Sequence, residues 1–562
     1  MNKYIIQRIF NEALAVFGGT RKSIPMETIK QFLVKLILVS KHFQMYILPI
    51  LHYPLVDIKS MHSFDLAAYL IKHGVRIPLS IKSDKFPLDI NSPNIPIIAP
   101  YVYKYLINQQ AITNQNVAVH GHFKNLRKIN IEYHHSDWFH ESLTHFTKEE
   151  EGEPTFARLN KMTITTYFRC LEVYRPIKAL YWDNITAFGL YSATLDLDLI
   201  LEFKNLKTLV FEGNSRLELL LPLVNLHPKI ENLSLDVYQP LGKNILSMIE
   251  ANRSVTSLVI RGQFTSLEGM IKVLNNNKTL RHLDWIDRIS SNTGYQDSNE
   301  TVSLFIENKT LESFRYLGFH FDLLEKWITP SNLKTLKLYK LFDNMFTFHP
   351  MLEHFFINYS SNQQLLEKKK HVWIGAQLPH LRRLELNSMG RDSRRIGNFW
   401  KDFIPGTLFS FKLDNLSILN VEMSLIEFTF LFNALPELGV SHLSVTNPGI
   451  TRYELDRQPL ITAIKKYVGQ LISLNISSFY VDYEYKENDI LFAVLESCSS
   501  KFNSFIYDQV KILSDQEEKH LLDIITEKFH ITNLVLGYNA VMPMALRNKL
   551  ASKGVMTGKI IK

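Results

Sequence analysis

The chain has 562 residues, 46% of them apolar, and carries 63 Lys and Arg against 55 Asp and Glu, a net charge of +8. A large core is available, and 12% aromatic residues exclude a chain disordered throughout. The basic excess is thin for this length, unlike a dedicated nucleic-acid binder, and the two cysteines, Cys170 and Cys498, exclude a disulfide scaffold and fit a reducing compartment.

In chain order, "YIIQRIFNEALAVF" (4–17) places apolar residues at 5, 6, 9, 10, 13, 14 and 17, the spacing of an amphipathic helix. Its polar Gln7, Arg8, Asn11 and Glu12 exclude a secretory signal, and no window has the roughly 18 uninterrupted apolar residues of a membrane span. A soluble cytoplasmic or nuclear protein without membrane contact is expected. A turn-like "GGTRKSIP" precedes the apolar "IKQFLVKLILVSKHFQMYILPIL" (29–51). Residues 36–43 with 46–49 resemble the later part of an F-box, although the usual Leu-Pro opening is absent. That resemblance implies short helices docking on a Skp-type adaptor of a cullin-based ubiquitin ligase, with Ile5, Ile9, Leu36, Leu38, Val39 and Phe43 as the docking residues. The alternative on the residues alone is that 1–51 is a helical cap on the rest of the chain.

Between 52 and 125, "FDLAAYLIKHGV" (64–75) predicts a short helix, and "FPLDINSPNIPIIAP" with four prolines predicts a loop or extended linker. The region is expected to be irregular connecting or capping structure.

From 126 a repeat begins. "NLKTL" stands at Asn205–Leu209 and again at Asn332–Leu336. Around it runs the pattern Leu-x-x-Leu-x-Leu, as in Leu206/Leu209/Phe211, Ile230/Leu233/Leu235, Val255/Leu258/Ile260 and Leu333/Leu336/Leu338. Fifteen windows fit it, including Leu126/Ile129/Ile131, Ile177/Leu180/Trp182 and Leu416/Leu419/Val421, and Leu159/Met162/Ile164 is a possible further unit. Spacings from Ile177 onward average about 27 residues. In eleven of the fifteen windows the residue before the middle apolar one is Ser, Thr, Asn or His, which chance does not arrange. Alternation makes each triplet a strand with one buried face. Between strands, "GKNILSMIEANRSV" and "SLEGMIKVLNNNKT" carry helical spacing.

This array resembles the leucine-rich repeat family over roughly 126–545. The resemblance implies an α/β solenoid: a curved horseshoe with parallel strands on the concave face, helices outside and a small helical N-terminal cap. The family's asparagine three residues after the triplet is matched only by Asn214 and Asn539. Residues 546–562 read as a basic tail. An F-box-like segment joined to irregular repeats is also similar to large amoebal families.

No catalytic chemistry emerges. "YHHSDWFHESLTHF" (133–146) invites a metal, but His140 and His145 lie five apart, about 140° round a helix, and a histidine-rich surface loop is the favoured reading. "FGGTRKS" and "GVMTGK" lack the spacing of a phosphate loop. No enzyme, metal or cofactor is expected.

A period of two points the positions between the triplet residues outward. The early outward face is expected to be acidic, through Glu132, Asp183, Glu212 and Asp236, which argues against nucleic acid there. The middle is expected to be apolar and aromatic with charges beside it: Asp284, Ile286, Arg315, Leu317, Lys337, Tyr339 and Phe356. The charged and aromatic members of both sets, without Ile286 and Leu317, form the candidate site for a protein partner. The expectation is a monomer outside its complex, acting as a ligase substrate receptor or as a scaffold or inhibitor that only binds.

Overall fold

A computed structural model describes residues 24–26, 29–30, 46–48, 51–82, 92–108, 123, 125–133, 158–166, 184–191, 199–213, 217–287, 303–318, 321–338, 348–359, 378–388, 413–420, 425–446, 457–477, 488–510, 513–528, 530–531, 533–538, 546, 548–550 and 556–557. The chain divides into two compact units, Met1–Gly269 and Met270–Lys562.

The first unit is a ladder of parallel strands paired in chain order. They are β1 (Ile24–Pro25), β2 (Val56–Ile58), β3 (Leu79–Lys82), β4 (Val102–Asn108) and β5 (Lys128–Tyr133), then β6 (Lys161–Thr166), β7 (Ala187–Tyr191), β8 (Thr208–Gly213), β9 (Asn232–Leu241) and β10 (Ser257–Phe264). The second unit repeats the plan. It holds β11 (His282–Asp287), β12 (Ser313–Leu317), β13 (Thr335–Leu338), β14 (His354–Tyr359) and β15 (Arg383–Ser388), then β16 (Asn415–Leu419), β17 (His442–Thr446), β18 (Ser473–Ser477), β19 (Ser504–Val510), β20 (Asn533–Tyr538) and β21 (Met556–Thr557). One short strand per turn, each parallel to the next, fits a leucine-rich-repeat type of fold.

The register is set by the triplet. Leu209 stands opposite Leu233, which stands opposite Leu258. In the second unit Leu283, Phe314, Leu336, Phe355 and Leu384 form the matching row, each at most 1% exposed. Burial alternates along β8, β11, β13, β16 and β17, so one face of these strands is core and the other is presented outward. Helices form where the spacing predicts, over Lys243–Ala251 and Leu267–Asn276, with Ile245, Leu246, Met270 and Ile271 buried.

Three expectations are corrected. The region 52–125 is not merely connecting structure: β2, β3 and β4 already belong to the ladder, and Ile24–Pro25 pairs with Val56–Asp57. The strand between β6 and β8 is built from Ile185/Phe188/Leu190, eight residues after the expected window at Ile177, because both windows satisfy the same apolar pattern. The unit expected at Leu416/Leu419/Val421 instead reads Leu413/Leu416/Ile418, since Leu416 pairs with Leu384. The additional unit at Leu159/Met162/Ile164 is present, with Met162 opposite Ile129. The helix expected within 64–75 runs over Met61–Lys72, capped by the reciprocal bonds of Ser60 and Ser63. Gly74 (φ 88°) then supplies the left-handed turn that ends it.

The missing asparagines have a counterpart elsewhere in the turn. Three residues before the triplets, His227, Asn252, Asn277, Asn308 and His349 are all at most 4% exposed. Asn308 Oδ1 accepts the N–H groups of Thr310 and Leu311, both at 2.9 Å, and its amide donates to the Leu274 carbonyl of the preceding turn. Asn252 and Asn277 accept N–H groups at the same places, including Val255 at 2.8 Å and Leu280 at 3.1 Å. His227 Nε2 bonds the Phe203 carbonyl at 2.9 Å. These side chains satisfy backbone groups that would otherwise be buried without partners.

His349 occupies the same position with a different consequence. Its Nδ1 lies 2.7 Å from Ser331 Oγ and its ring meets Trp327 edge to face at 5.0 Å. Burial lowers its pKa to about 3. The folded state therefore disfavours the proton that the unfolded chain takes up near the ordinary value of 6.5.

In chemical denaturation, Asn308→Ala should destabilise the chain by about 2–3 kcal/mol, whereas Asn332→Ala, which removes an exposed amide, should cost under about 0.5 kcal/mol. The His349 contribution is intact above pH 6.5 and is lost as pH falls toward 3, about 3 kcal/mol between pH 7 and 4. The difference in unfolding free energy between those pH values should shrink by that amount in His349→Phe.

Candidate functional site

The outward face of the second unit carries its charges in register. The central outward residues of β11 to β15 are Asp284, Arg315, Lys337, Phe356 and Glu385, each directly opposite the next. They stand there because each lies between two apolar positions of its triplet, so alternation leaves them no other face. Arg315 Nη1 lies 3.6 Å from Asp284 Oδ2, with both side chains about one-third exposed. The Lys337 ammonium sits 4.1 Å from the centre of the Phe356 ring. From the following strand, the Arg383 guanidinium lies 5.4 Å from the same ring and pairs with Glu385 at 3.7 Å.

Phe356 thus stands between two cations that arrive from neighbouring strands, and each guanidinium is tied to a carboxylate. Such exposed pairs stabilise a fold by roughly 0–1 kcal/mol each. Their larger effect is to hold long side chains in one arrangement before a partner arrives, which lowers the ordering cost of binding. Beyond β15 the face changes. His442 Nδ1 meets Ser473 Oγ at 2.7 Å, Asn475 donates to Ser444 at 3.1 Å, Ser477 to Thr446 at 3.2 Å, and Asn533 to Ser504 at 2.9 Å. Two of these bonds, His442–Ser473 and Asn533–Ser504, join residues just before the middle apolar position, as does Asn232–Thr208 in the first unit.

The candidate residues divide accordingly. Asp284, Arg315, Lys337 and Phe356 are brought together. Arg383 and Glu385 complete the cluster and are absent from the sequence-based candidates, although the Leu381/Leu384/Leu386 triplet places them on the same face. Leu317, expected outward, is buried at 3% exposure. Tyr339 lies outside the described residues, as do Ile5, Ile9, Leu36, Leu38, Val39, Phe43 and the histidine-rich 133–146 apart from the backbone of Tyr133.

The early acidic face is described only in part. Asp183 lies outside the described residues, and the place opposite Glu212 belongs to Tyr191. Asp236 is 7% exposed and paired with Arg261 at 3.5 Å, so its charge is compensated. Glu212 is half-buried, and Glu132 is on β5. Beside them, Lys104, Lys128 and Lys161 stand in one row, so the electrostatic argument against nucleic acid does not hold for this face.

On the helical side of the second unit, Glu496 of the helix Asp489–Ser497 joins its two neighbours. It meets Lys465 of Gln458–Tyr467 at 3.2 Å and His520 of Asp515–Glu527 at 3.0 Å, beside an open groove of about 580 Å³. Burial acts to raise the Glu496 pKa, but the hydrogen bonds from His520 and Lys465 outweigh it and hold the carboxyl below its usual range. This carboxylate is a brace between helices. Among the described residues no group of three or more His, Cys, Asp or Glu is placed to hold a metal, and no helix is long and apolar enough to cross a membrane.

No family model matches the chain, and no curated protein matches it in sequence. Among solved structures it is similar to a crystal structure of a TLR13–ssRNA13 complex, with 11% identity and a TM-score of 0.32. The match covers 91% of this chain and 65% of that one, and so distant a likeness says nothing about what this chain binds.

Proposed function

We propose that this chain is a non-enzymatic binding protein that holds a protein partner on the outward strand face of its second unit. The observation that carries the reading is Phe356, half-buried between the Lys337 and Arg383 cations and flanked by the Asp284–Arg315 and Arg383–Glu385 pairs. An aromatic anchor ringed by charged groups is the composition of an interaction hot spot. Among the described residues, the Lys337 cation lies over a ring rather than against a carboxylate. A partner segment offering a carboxylate beside an apolar side chain would satisfy Lys337 and cover Phe356 together.

The finer reading is a substrate receptor of a cullin-based ubiquitin ligase, with residues 1–51 docking on a Skp-type adaptor. It is supported by the F-box-like string around Leu36–Phe43 and rests on that sequence alone. The other reading is a scaffold or inhibitor that binds the same partner without any ligase.

Affinity purification with mass spectrometry compares the full-length chain with Lys337→Glu/Phe356→Ala. The variant should lose at least one partner tenfold or more while its thermal unfolding stays within a few degrees of wild type. Identical partner sets would remove this face from the mechanism. A purified Skp-type adaptor should be retained by the full-length chain and lost on Leu38→Asp, with the Phe356-dependent partner still bound. No retention by the wild type would leave the scaffold or inhibitor reading.

A further inference from the structure

In the first unit the helix Leu217–Leu226, "LELLLPLVNL", is apolar on two opposite sides. Leu217, Leu220, Leu221 and Val224 are buried and account for its packing on the ladder. On the other side Leu219, Pro222, Leu223 and Leu226 recur at i, i+3, i+4 and i+7, the spacing of one helix face. Leu219 is 49% exposed and Leu226 71% exposed, with Pro222 exposed and Leu223 half-buried between them. The helix packs between Leu199–Glu202 and Lys243–Ala251, which extend the patch with exposed Leu201 and half-buried Met248.

Other helices turn a different face outward. Lys243–Ala251 shows Asn244, Ser247 and Ala251, Gln458–Tyr467 shows Thr462, Lys465 and Lys466, and Asp515–Glu527 shows Gln516, Lys519 and Asp523. Leu425–Leu438 exposes Ile426 and Phe430, but the same stripe continues with Asn433 and Glu437. A contiguous apolar patch at the surface marks an interaction site.

The charges at its ends select the occupant. Glu218 is exposed at the start of the helix and Lys229 is exposed just past its end, with no Asp, Glu, Lys or Arg between them. Among the described residues neither forms an ion pair, and Lys229 Nζ donates to the neutral Asn205 Oδ1 at 2.6 Å.

We propose that this face pairs with the same face of a second copy of the chain, the two helices antiparallel about a twofold axis. With the axis between Pro222 and Leu223, Leu219 of one copy faces Leu226 of the other. Glu218 of each copy then comes level with the end of the opposite helix, within reach of its Lys229, and the pairing occurs twice. A parallel pair would set Glu218 beside Glu218 and Lys229 beside Lys229. An unrelated apolar helix would cover the leucines and leave both charges unmatched. One patch serving both copies is the isologous contact of a twofold dimer. Stable interfaces bury roughly 800 Å² per partner, and a helix face ~15 Å long with two neighbouring side chains supplies less. The dimer is therefore a weak one, dissociating at ~10 µM, where a monomer is expected from the sequence.

Sedimentation velocity of the full-length chain tests this. Between ~1 and ~100 µM the average mass should rise from that of a monomer toward that of a dimer. Leu219→Gln/Leu226→Gln should weaken association at least tenfold, with thermal unfolding within a few degrees of wild type because both side chains are exposed. Glu218→Lys and Lys229→Glu should each weaken it at least threefold, and Glu218→Lys/Lys229→Glu together should restore it to within twofold. Lys337→Glu/Phe356→Ala, on the second unit, should change it less than twofold. The proposal is overturned if the wild type stays monomeric throughout, even where a different protein binds through Leu219 and Leu226. It is also overturned if the leucine variant associates as tightly as wild type, or if the double charge reversal restores nothing.

Discussion

Each turn of this chain depends on one apolar side chain buried directly against its counterpart in the next turn. A single short strand with one covering segment has no second layer in which to bury Leu209 or Phe355. Removing that surface from water, worth ~25 cal/mol per Å², requires neighbours on both sides. The rows Leu209–Leu233–Leu258 and Phe314–Leu336–Phe355–Leu384 are the result. The same registration fixes everything else, because a one-residue slip would exchange the buried and outward sets.

Outward residues are consequently not placed independently. Each has two fixed neighbours, the residues of the same phase in the turns before and after. Short hydroxyl and amide side chains solve this by bonding to one another, as from β17 to β20. Alternating charges solve it by pairing, as at Asp284 and Arg315. Lys337 solves it against an aromatic ring. The backbone at the turn ends has its own solution in the buried side chains at Asn252, Asn277 and Asn308, which supply bonds that the strands cannot.

The same physics decides how much of this is legible in the sequence. The triplet is readable because its apolar positions recur, and the polar residue before the middle one makes a cross-strand bond at β8–β9, β17–β18 and β19–β20. Apolar pattern alone does not arbitrate between Ile177 and Ile185, or between Leu413 and Leu416, because each window satisfies it and only the neighbouring strand decides. Below residue 126 the signal is diluted: β2 and β3 are three and four residues long and carry buried Asp57 and Ser80. The asparagines before the triplets are in plain view, but the family pattern directs attention to the other end of the strand. At the site, Asp284, Arg315, Lys337 and Phe356 are readable through alternation. Asp183 is not, because its placement rests on the displaced window.

The two faces of the second unit arrange their charges differently. On the helical side Glu496 is held by Lys465 and His520 at 3.2 and 3.0 Å, three helices joined through one carboxylate. Lys465 and His520 are about half exposed, and the helices themselves bury Leu460, Ile464, Leu491, Val494 and Leu521. On the strand face the pairs are longer, 3.6 Å at Arg315 and 3.7 Å at Arg383, and the strands beneath are already held by the buried row. An incoming carboxylate can replace Asp284 or Glu385 there with little change in the fold, since the guanidinium exchanges one acceptor for another. Binding on either face therefore competes with surface pairs, and not with the buried apolar rows that hold the strands in register.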